Sequence, residues 1–328
     1  MEPNTTTEKS AKPRIVSLIP SATEIVAKLN YGDCLVGRSH ECDYPMTVRG
    51  LPIGDLPVCT EPKFDPVGTS AQIHGRVSEL LASALSVYRV KTEVLAELRP
   101  THIITQAQCE VCAVSLSDVE KAVAELTSMD IQVVSLQPEC LADVWDDMTR
   151  VAAALSESKK DQQSAAAIIS GLKKRLQPVE MPVDISVEII EPRPKVACIE
   201  WTEPLMAAGN WVPELVDWAG GTDCLGKAGR HSAWISWEDL QAADPDVIIV
   251  MPCGYDLAQA RQAAKEISAQ AAWQQLRAVE NGRVYLTDGN QYFNRPGPRL
   301  VESGEILAEI IWGEKANGDR QFVGWEVF

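Results

Sequence analysis

The sequence predicts an α/β protein with two lobes, each built on a parallel sheet flanked by helices, joined by one long helix and leaving a ligand cleft between the lobes. Three observations lead there. Short apolar runs alternate with amphipathic segments from Arg14 to Gln137, and again from Lys195 onward. The stretch between them is rich in Ala, Leu and charge, and carries neither Pro nor Gly from Cys140 until Gly171. Finally, 328 residues are enough for two domains with separate cores. The expected organisation is a disordered tail over 1–13, an N-terminal lobe over 14–139, a linking helix over 140–178 and a C-terminal lobe over 179–328.

Each element follows from local pattern. "RIVSLIP" (14–20) is a buried strand, and "SATE" after it reads as a capping box, Ser21 with Glu24, opening a helix. "CLVGRS" (34–39) is the next strand, which completes a βαβ unit. The Pro- and Gly-punctuated stretch 43–68 is mostly loop, and an amphipathic helix follows around 72–86. After "KTEVLAELRP" come the strand "THIIT", a loop, a helix near 116–129 and the strand "IQVVSLQ". The central 140–178 reads as one long helix or two collinear ones. In the second half "KVACIEW", "DVIIVMP" and "RVYLTDG" are strands. "WVPELVDWAGG", "SWEDLQAADP", "AAWQQLRAVENG" and "PRLVESGEILAEIIW" are helices.

Composition narrows the partners. With 45% hydrophobic and 23% charged residues the chain is globular, and a net charge of −16 argues against a nucleic-acid partner or an anionic membrane surface. No run approaches the ~18 apolar residues of a membrane span. "MEPNTTTEKSAKPR" has no apolar h-region, so the sequence as given predicts a cytoplasmic protein, exported only if the true start lies upstream. Nine scattered cysteines do not form a disulfide framework and are expected to be reduced.

Ligands of open α/β sheets bind at the C-terminal ends of the strands. Those exits carry Pro20, His40, Cys42, Cys109, Cys112, Trp201, Trp211, Cys253, Tyr255, Tyr292 and Phe293. Cys59 joins them from the long loop. The pair Cys109 and Cys112, a C-x-x-C, has no second copy in the chain. A zinc or iron site would therefore have to combine it with Cys42, Cys253 and His40 from separate loops. A thioredoxin-type dithiol has little else to support it. The aromatics, with Trp234 and Trp237, suit the grip of a large planar ligand, and Arg295 and Arg299 suit forked hydrogen bonds to amide or carboxylate groups. Cys34, Cys198, Cys224, Trp218 and Trp312 read as core, and His74 and His102 are given no role. No phosphate loop, nucleophile elbow or H-E-x-x-H is present, so no enzymatic activity and no catalytic cofactor are expected.

Together "RIVSLIPSATEIV…VGRSHECDYP", the central helical stretch, "ISWEDLQAADPDVIIV" and "FNRPGPRL" resemble the vitamin-B12-binding substrate-binding proteins of ABC importers. Those proteins belong to the wider group of siderophore, haem and corrinoid receptors with a rigid helical backbone. "TQAQCEVCAVS", "MPCGYDL" and "GNQYFNRPGPRLV" are similar to a cysteine-containing branch of that group. The resemblance spans nearly all of the chain from Arg14. It implies the class III periplasmic-binding-protein architecture, a corrinoid such as cobalamin or a related metal chelate as ligand, and an ABC permease as partner. It also implies ligand contacts at Tyr44, Trp234 and Arg295, with Met206 near a pocket position that is Phe in the family. Glu238 matches the C-lobe glutamate that docks on the permease, and Glu110 lies near the N-lobe counterpart. A second function class stays open beside it: a cytoplasmic thiol–metal protein that uses the cleft cysteines for zinc, iron or redox sensing.

Overall fold

The structure, a computed structural model, describes residues 12–83, 87–106, 115–126, 130–176, 193–313 and 323–328. The chain divides into two compact units, one of 1–61, 88–136 and 148–168, the other of 62–87, 137–147 and 169–328.

In the first unit, β1 (Ile15–Ser17) leads directly into α1 (Pro20–Lys28). The expected capping box is not formed: Ile19 is the N-cap, Pro20 is the first helical residue and Ser21 is buried inside the helix. Proline pre-sets the backbone angle of that first position and has no N–H to leave unpaired, so the N-cap falls two residues early. Next are β2 (Leu35–Gly37), a small hairpin of β3 (Thr47–Val48) and β4 (Leu51–Pro52), and β5 (Thr60–Pro62). The hairpin turns at Arg49 and Gly50, both with positive φ (54° and 73°), as a two-residue turn between right-twisted strands requires. After α2 (Ser70–Ala82), β6 (Tyr88–Val90) pairs with β5. Then come α3 (Thr92–Leu98), β7 (His102–Gln106), α4 (Leu116–Glu125) and β8 (Gln132–Leu136). The sheet runs β2-β1-β7-β8, all parallel, with Ile15, Val16, Ile103 and Ile104 fully enclosed. Continuous apolar runs are what a sheet covered on both faces needs.

The central stretch is helical in two pieces, α5 (Leu141–Leu155) and α6 (Lys159–Arg175). The Asp143 carboxylate accepts from the backbone N–H groups of Glu139 and Cys140, at 2.9 and 3.0 Å, which anchors the start of α5. The unit boundaries fall inside α5 and α6, not at their ends. They also assign 62–87, expected within the N-terminal lobe, to the second unit, because α2 packs on a strand of that unit.

The second unit is built on β9 (Lys195–Thr202), followed by β10 (Leu205–Ala207), α7 (Val212–Trp218), β11 (Thr222–Asp223) and β12 (Ala233–Trp234). It continues through α8 (Trp237–Ala243), β13 (Val247–Val250), α9 (Leu257–Ser268), the short α10 (Arg277–Glu280) and β14 (Val284–Thr287). It closes with α11 (Leu300–Trp312) and β15 (Trp325–Val327). Its sheet order is β12-β10-β9-β13-β14-β15, with β11 alongside β9. Parallel strands form the centre, while β10, β12 and β15 run antiparallel at the edges. Ile248, Val250, Trp273, Leu276 and Leu286 lie in one core cluster, each contributing about 1.5–3 kcal/mol by leaving water. The single helix expected over 271–282 is broken at Leu276, which is extended and buried beside Trp273 in that core. Core packing overrides the local helical pattern there.

Candidate functional site

Two antiparallel additions to the parallel sheet create an aromatic surface on the second unit. β9 turns at Glu203-Pro204 into β10, and β12 pairs on the outer side of β10. Met206 lies directly opposite Trp201 on one side and Trp234 on the other. Residues opposed across antiparallel strands share a face, so these three side chains form one row across three strands. The alternate positions Leu205 and Ala207 are buried on the other face. Trp234 is 56% exposed, and Met206 and Trp201 are half-buried. The Trp201 indole N–H donates to the Glu203 carbonyl at 3.1 Å, which fixes that ring.

Two further rings bracket the row. Tyr255 sits 5.3 Å from Trp201, tilted by 58°, and His74 of α2 sits 5.1 Å from Trp234, nearly perpendicular at 78°. Tyr255 reaches its place through the turn Pro252-Cys253-Gly254-Tyr255 at the exit of β13. Gly254 takes a positive φ of 76° there, and the Cys253 N–H donates to the Glu200 carbonyl. The turn is pinned from below by Gly289, where any Cβ would lie 2.6 Å from the Met251 oxygen and closer still to that of Pro252. The Tyr255 hydroxyl shares a 3.4 Å hydrogen bond with Ser70, which also accepts from the Thr202 hydroxyl at 2.8 Å. Burial raises the Tyr255 pKa, so its hydroxyl stays protonated at neutral pH. Flat indoles flanking a polarisable thioether suit van der Waals contact with a broad planar ligand.

Several expected ligand contacts are buried in the structure. Phe293 has no exposed surface, and its carbonyl accepts from the indole N–H of Trp211, itself only 5% exposed. Both are core residues that join the segment after β14 to the start of α7. Arg295 is 4% exposed and donates to the Asn290 side chain at 2.9 Å, so its guanidinium shapes the 289–295 turn. Pro20 is buried as the first residue of α1. Tyr292, half-buried, stacks under the Arg299 guanidinium, 4.6 Å from the ring centroid.

In the first unit Cys42, an expected metal ligand, is turned inward, 3% exposed, with its sulfur 3.0 Å from the Thr23 hydroxyl. Cys59 is fully enclosed, and burial pushes its thiol up to about 12; burial does the same to Cys224, and holds Cys198 well above the ordinary value. Burial keeps these sulfurs protonated at neutral pH. Among the described residues no three His, Cys, Asp or Glu side chains are grouped as a metal ion would need. Cys253 is half-buried beside the row. Cys109, Cys112 and Glu110 lie outside the described residues. Tyr44 is 40% exposed, within the hairpin-bearing loop. Glu238 is exposed in the first turn of α8, whose start is fixed by reciprocal hydrogen bonds between Ser236 and Asp239.

His40 lies between Thr60, whose hydroxyl is 2.8 Å from Nδ1, and the Tyr88 ring at 5.2 Å. Burial, with help from Lys91 and Arg38, lowers its pKa to about 4. An unfolded histidine titrates near 6.5, so the folded state binds fewer protons between those values. Stability from this site is complete above the unfolded pKa and is lost as pH falls toward 4. Urea denaturation is expected to show a His40 contribution to the pH slope of at most about 1.4 kcal/mol per pH unit in that window. The wild-type and His40→Gln curves should therefore converge on acidification; parallel curves would count against a neutral buried imidazole.

Sequence similarity agrees with the architecture. The model of the family described as periplasmic binding protein matches residues 15–291. This chain belongs to the periplasmic binding protein family. It is 23% identical over 313 residues to the uncharacterized ABC transporter substrate-binding lipoprotein YvrC of Bacillus subtilis, covering 93% of this chain and 82% of that protein. It is also 23% identical over 302 residues to the vitamin B12-binding protein of Vibrio cholerae, covering 91% of this chain and 88% of that protein. Among solved structures, a periplasmic heme binding protein from Pseudomonas aeruginosa superposes with a TM-score of 0.63 at 18% identity, over 93% of this chain and 94% of that one. The fold is thus the class III periplasmic binding protein fold, in a family of solute-binding proteins. The expectations of a cytoplasmic location and of a cytoplasmic thiol–metal function find no support among these periplasmic and lipoprotein relatives. Among the described residues, no helix is long and apolar enough to cross a membrane.

Proposed function

We propose that this periplasmic binding protein family member is the receptor for a flat metal chelate of the tetrapyrrole class, cobalamin or a related corrinoid first, which it delivers to an ABC permease outside the cytoplasmic membrane. The row Trp201–Met206–Trp234 carries this reading, because it offers a broad apolar face with an indole more than half exposed. The names of the relatives, one binding vitamin B12 and another heme, point to the same ligand class. Glu238, exposed at the start of α8, is the side chain proposed to meet permease arginines.

Titration with cyanocobalamin, dicyanocobinamide and hemin, followed by visible absorbance and calorimetry, tests the reading. One ligand per chain with a spectral shift is expected from at least one of the three, and no binding by any would overturn it. Trp234→Ala is expected to weaken that binding by about 2 kcal/mol, roughly thirtyfold. Its thermal stability should stay close to wild type, because the indole is largely exposed.

A further inference from the structure

Helix α2 is built as a self-contained piece. The Thr69 hydroxyl accepts from the Gln72 N–H at 3.3 Å, and the Gln72 side chain accepts from the Thr69 N–H at 3.0 Å, so the helix caps itself. Arg76 ties it to its own leading loop by donating to the Asp65 and Val67 carbonyls, at 2.8 and 2.6 Å. The segment closes at its base, where the Lys63 N–H donates to the Val87 carbonyl at 2.9 Å. Its hold on the rest of the unit is slight. Of the 13 residues of α2 only Ser70 is buried, whereas α11, also 13 residues long, buries nine. Ile73, Val77 and Leu80 share one face of α2 and are only half covered.

What holds α2 down is polar and sits at the aromatic row. Ser70, 1% exposed, accepts from Thr202 and hydrogen-bonds Tyr255. Thr202 directly follows Trp201, and Tyr255 packs on Trp201. One turn further along the helix, His74 packs against Trp234, at the other end of the row. Hydrogen bonds of this kind contribute only about 0.5–1.5 kcal/mol each, and helices with little buried apolar surface open locally at low free energy. We propose that the segment from Asp65 to Ala82 is a hinged flap, latched by Ser70 on Thr202 and Tyr255, that lifts to admit a ligand to the Trp201–Met206–Trp234 row. Seating and release of the ligand are then gated by this latch. The ligand-dependent half of the inference rests on the tetrapyrrole reading; the opening of the flap does not.

The test is a Ser70→Cys/Thr202→Cys protein, since the two hydroxyl oxygens are only 2.8 Å apart. The bridge is formed with oxidised glutathione and verified by peptide mass. Hydrogen exchange comes first, without ligand. In the wild-type protein the amides of residues 74–82 are expected to exchange at least a hundredfold faster than those of α11, and the bridge should slow them at least tenfold. Protection of α2 equal to that of α11 in the wild-type protein would overturn the flap, whether or not the bridge forms. Stopped-flow mixing with whichever of hemin, cyanocobalamin and dicyanocobinamide binds then reads the gate: association at least tenfold slower in the bridged protein, restored by reductant. Equal rates in the bridged and reduced forms would overturn the gate. If neither form binds hemin, cyanocobalamin or dicyanocobinamide, the tetrapyrrole reading fails while the exchange result still decides the flap.

Discussion

Alanine at Phe293 is expected to cost about 3–5 kcal/mol of folding free energy, the range for removing a large enclosed aromatic. The ring has no exposed surface, and the peptide carrying it accepts the Trp211 indole N–H at 2.9 Å. Losing the ring leaves a cavity where the segment after β14 meets the N-terminus of α7, and neither backbone is free to collapse into it. Urea denaturation at neutral pH should show a lower midpoint with an unchanged slope. The outcome separates two views of this residue. A ligand-contacting Phe293 would, on replacement, lower chelate affinity and leave the midpoint in place. A core Phe293 lowers the midpoint and leaves the affinity of the folded fraction within about threefold, less than 1 kcal/mol.

Gly289→Ala should destabilise by about 3 kcal/mol, at the upper end for overpacking, and impair the site as well. Its φ is not in the left-handed region; the constraint is space. A Cβ would lie 2.6 Å from the Met251 oxygen and 2.7 Å from its carbonyl carbon, and these are backbone atoms with no rotamer to escape into. The same contact is held by the Asn294 side-chain amide, which donates to both the Met251 and Gly289 carbonyls. The Asn290 N–H donates to the Tyr255 carbonyl at 3.0 Å. A methyl group at 289 therefore pushes on the turn that delivers Tyr255 to Trp201. The expected result is a large drop in the urea midpoint together with weakened hemin or corrinoid binding. A variant with wild-type stability would show that the turn yields freely.

The parallel strands were legible because each is an apolar run with short punctuation, as in "RIVS", "THIIT" and "DVIIV". The aromatic row was legible only in part. Trp234 stands out among the aromatics and Met206 comes only from family resemblance, but the register that sets them opposite each other is a tertiary fact. β10 and β12 are three and two residues long, too short for any periodicity to show. The helix after Tyr255 went unread, although Asp256 and Gln259 form its capping box. Phe293, Trp211 and Arg295 are buried, and their sequence gives no sign of it, because proximity to a strand exit does not say which way a side chain turns. The same holds for Cys42, near His40 in sequence, whose thiol lies against Thr23. His74 is given no role by its sequence, because a lone histidine in an amphipathic helix gives no sign of the distant indole it packs against.

The last strand has a consequence for self-association. Hydrogen-bonding groups along an uncovered sheet edge invite strands from other chains. Here the two edges of the larger sheet are guarded differently. On one side β12 is a mere two residues, too short a template for a stranger to extend. On the other, β15 lies antiparallel along β14, held by an ion pair between Glu326 and Arg261 and by the Trp325 indole N–H donating to Glu309 at 3.1 Å. Residues 325–327 thus cover the edge of the four-residue β14, which would otherwise be open to a strand from another copy.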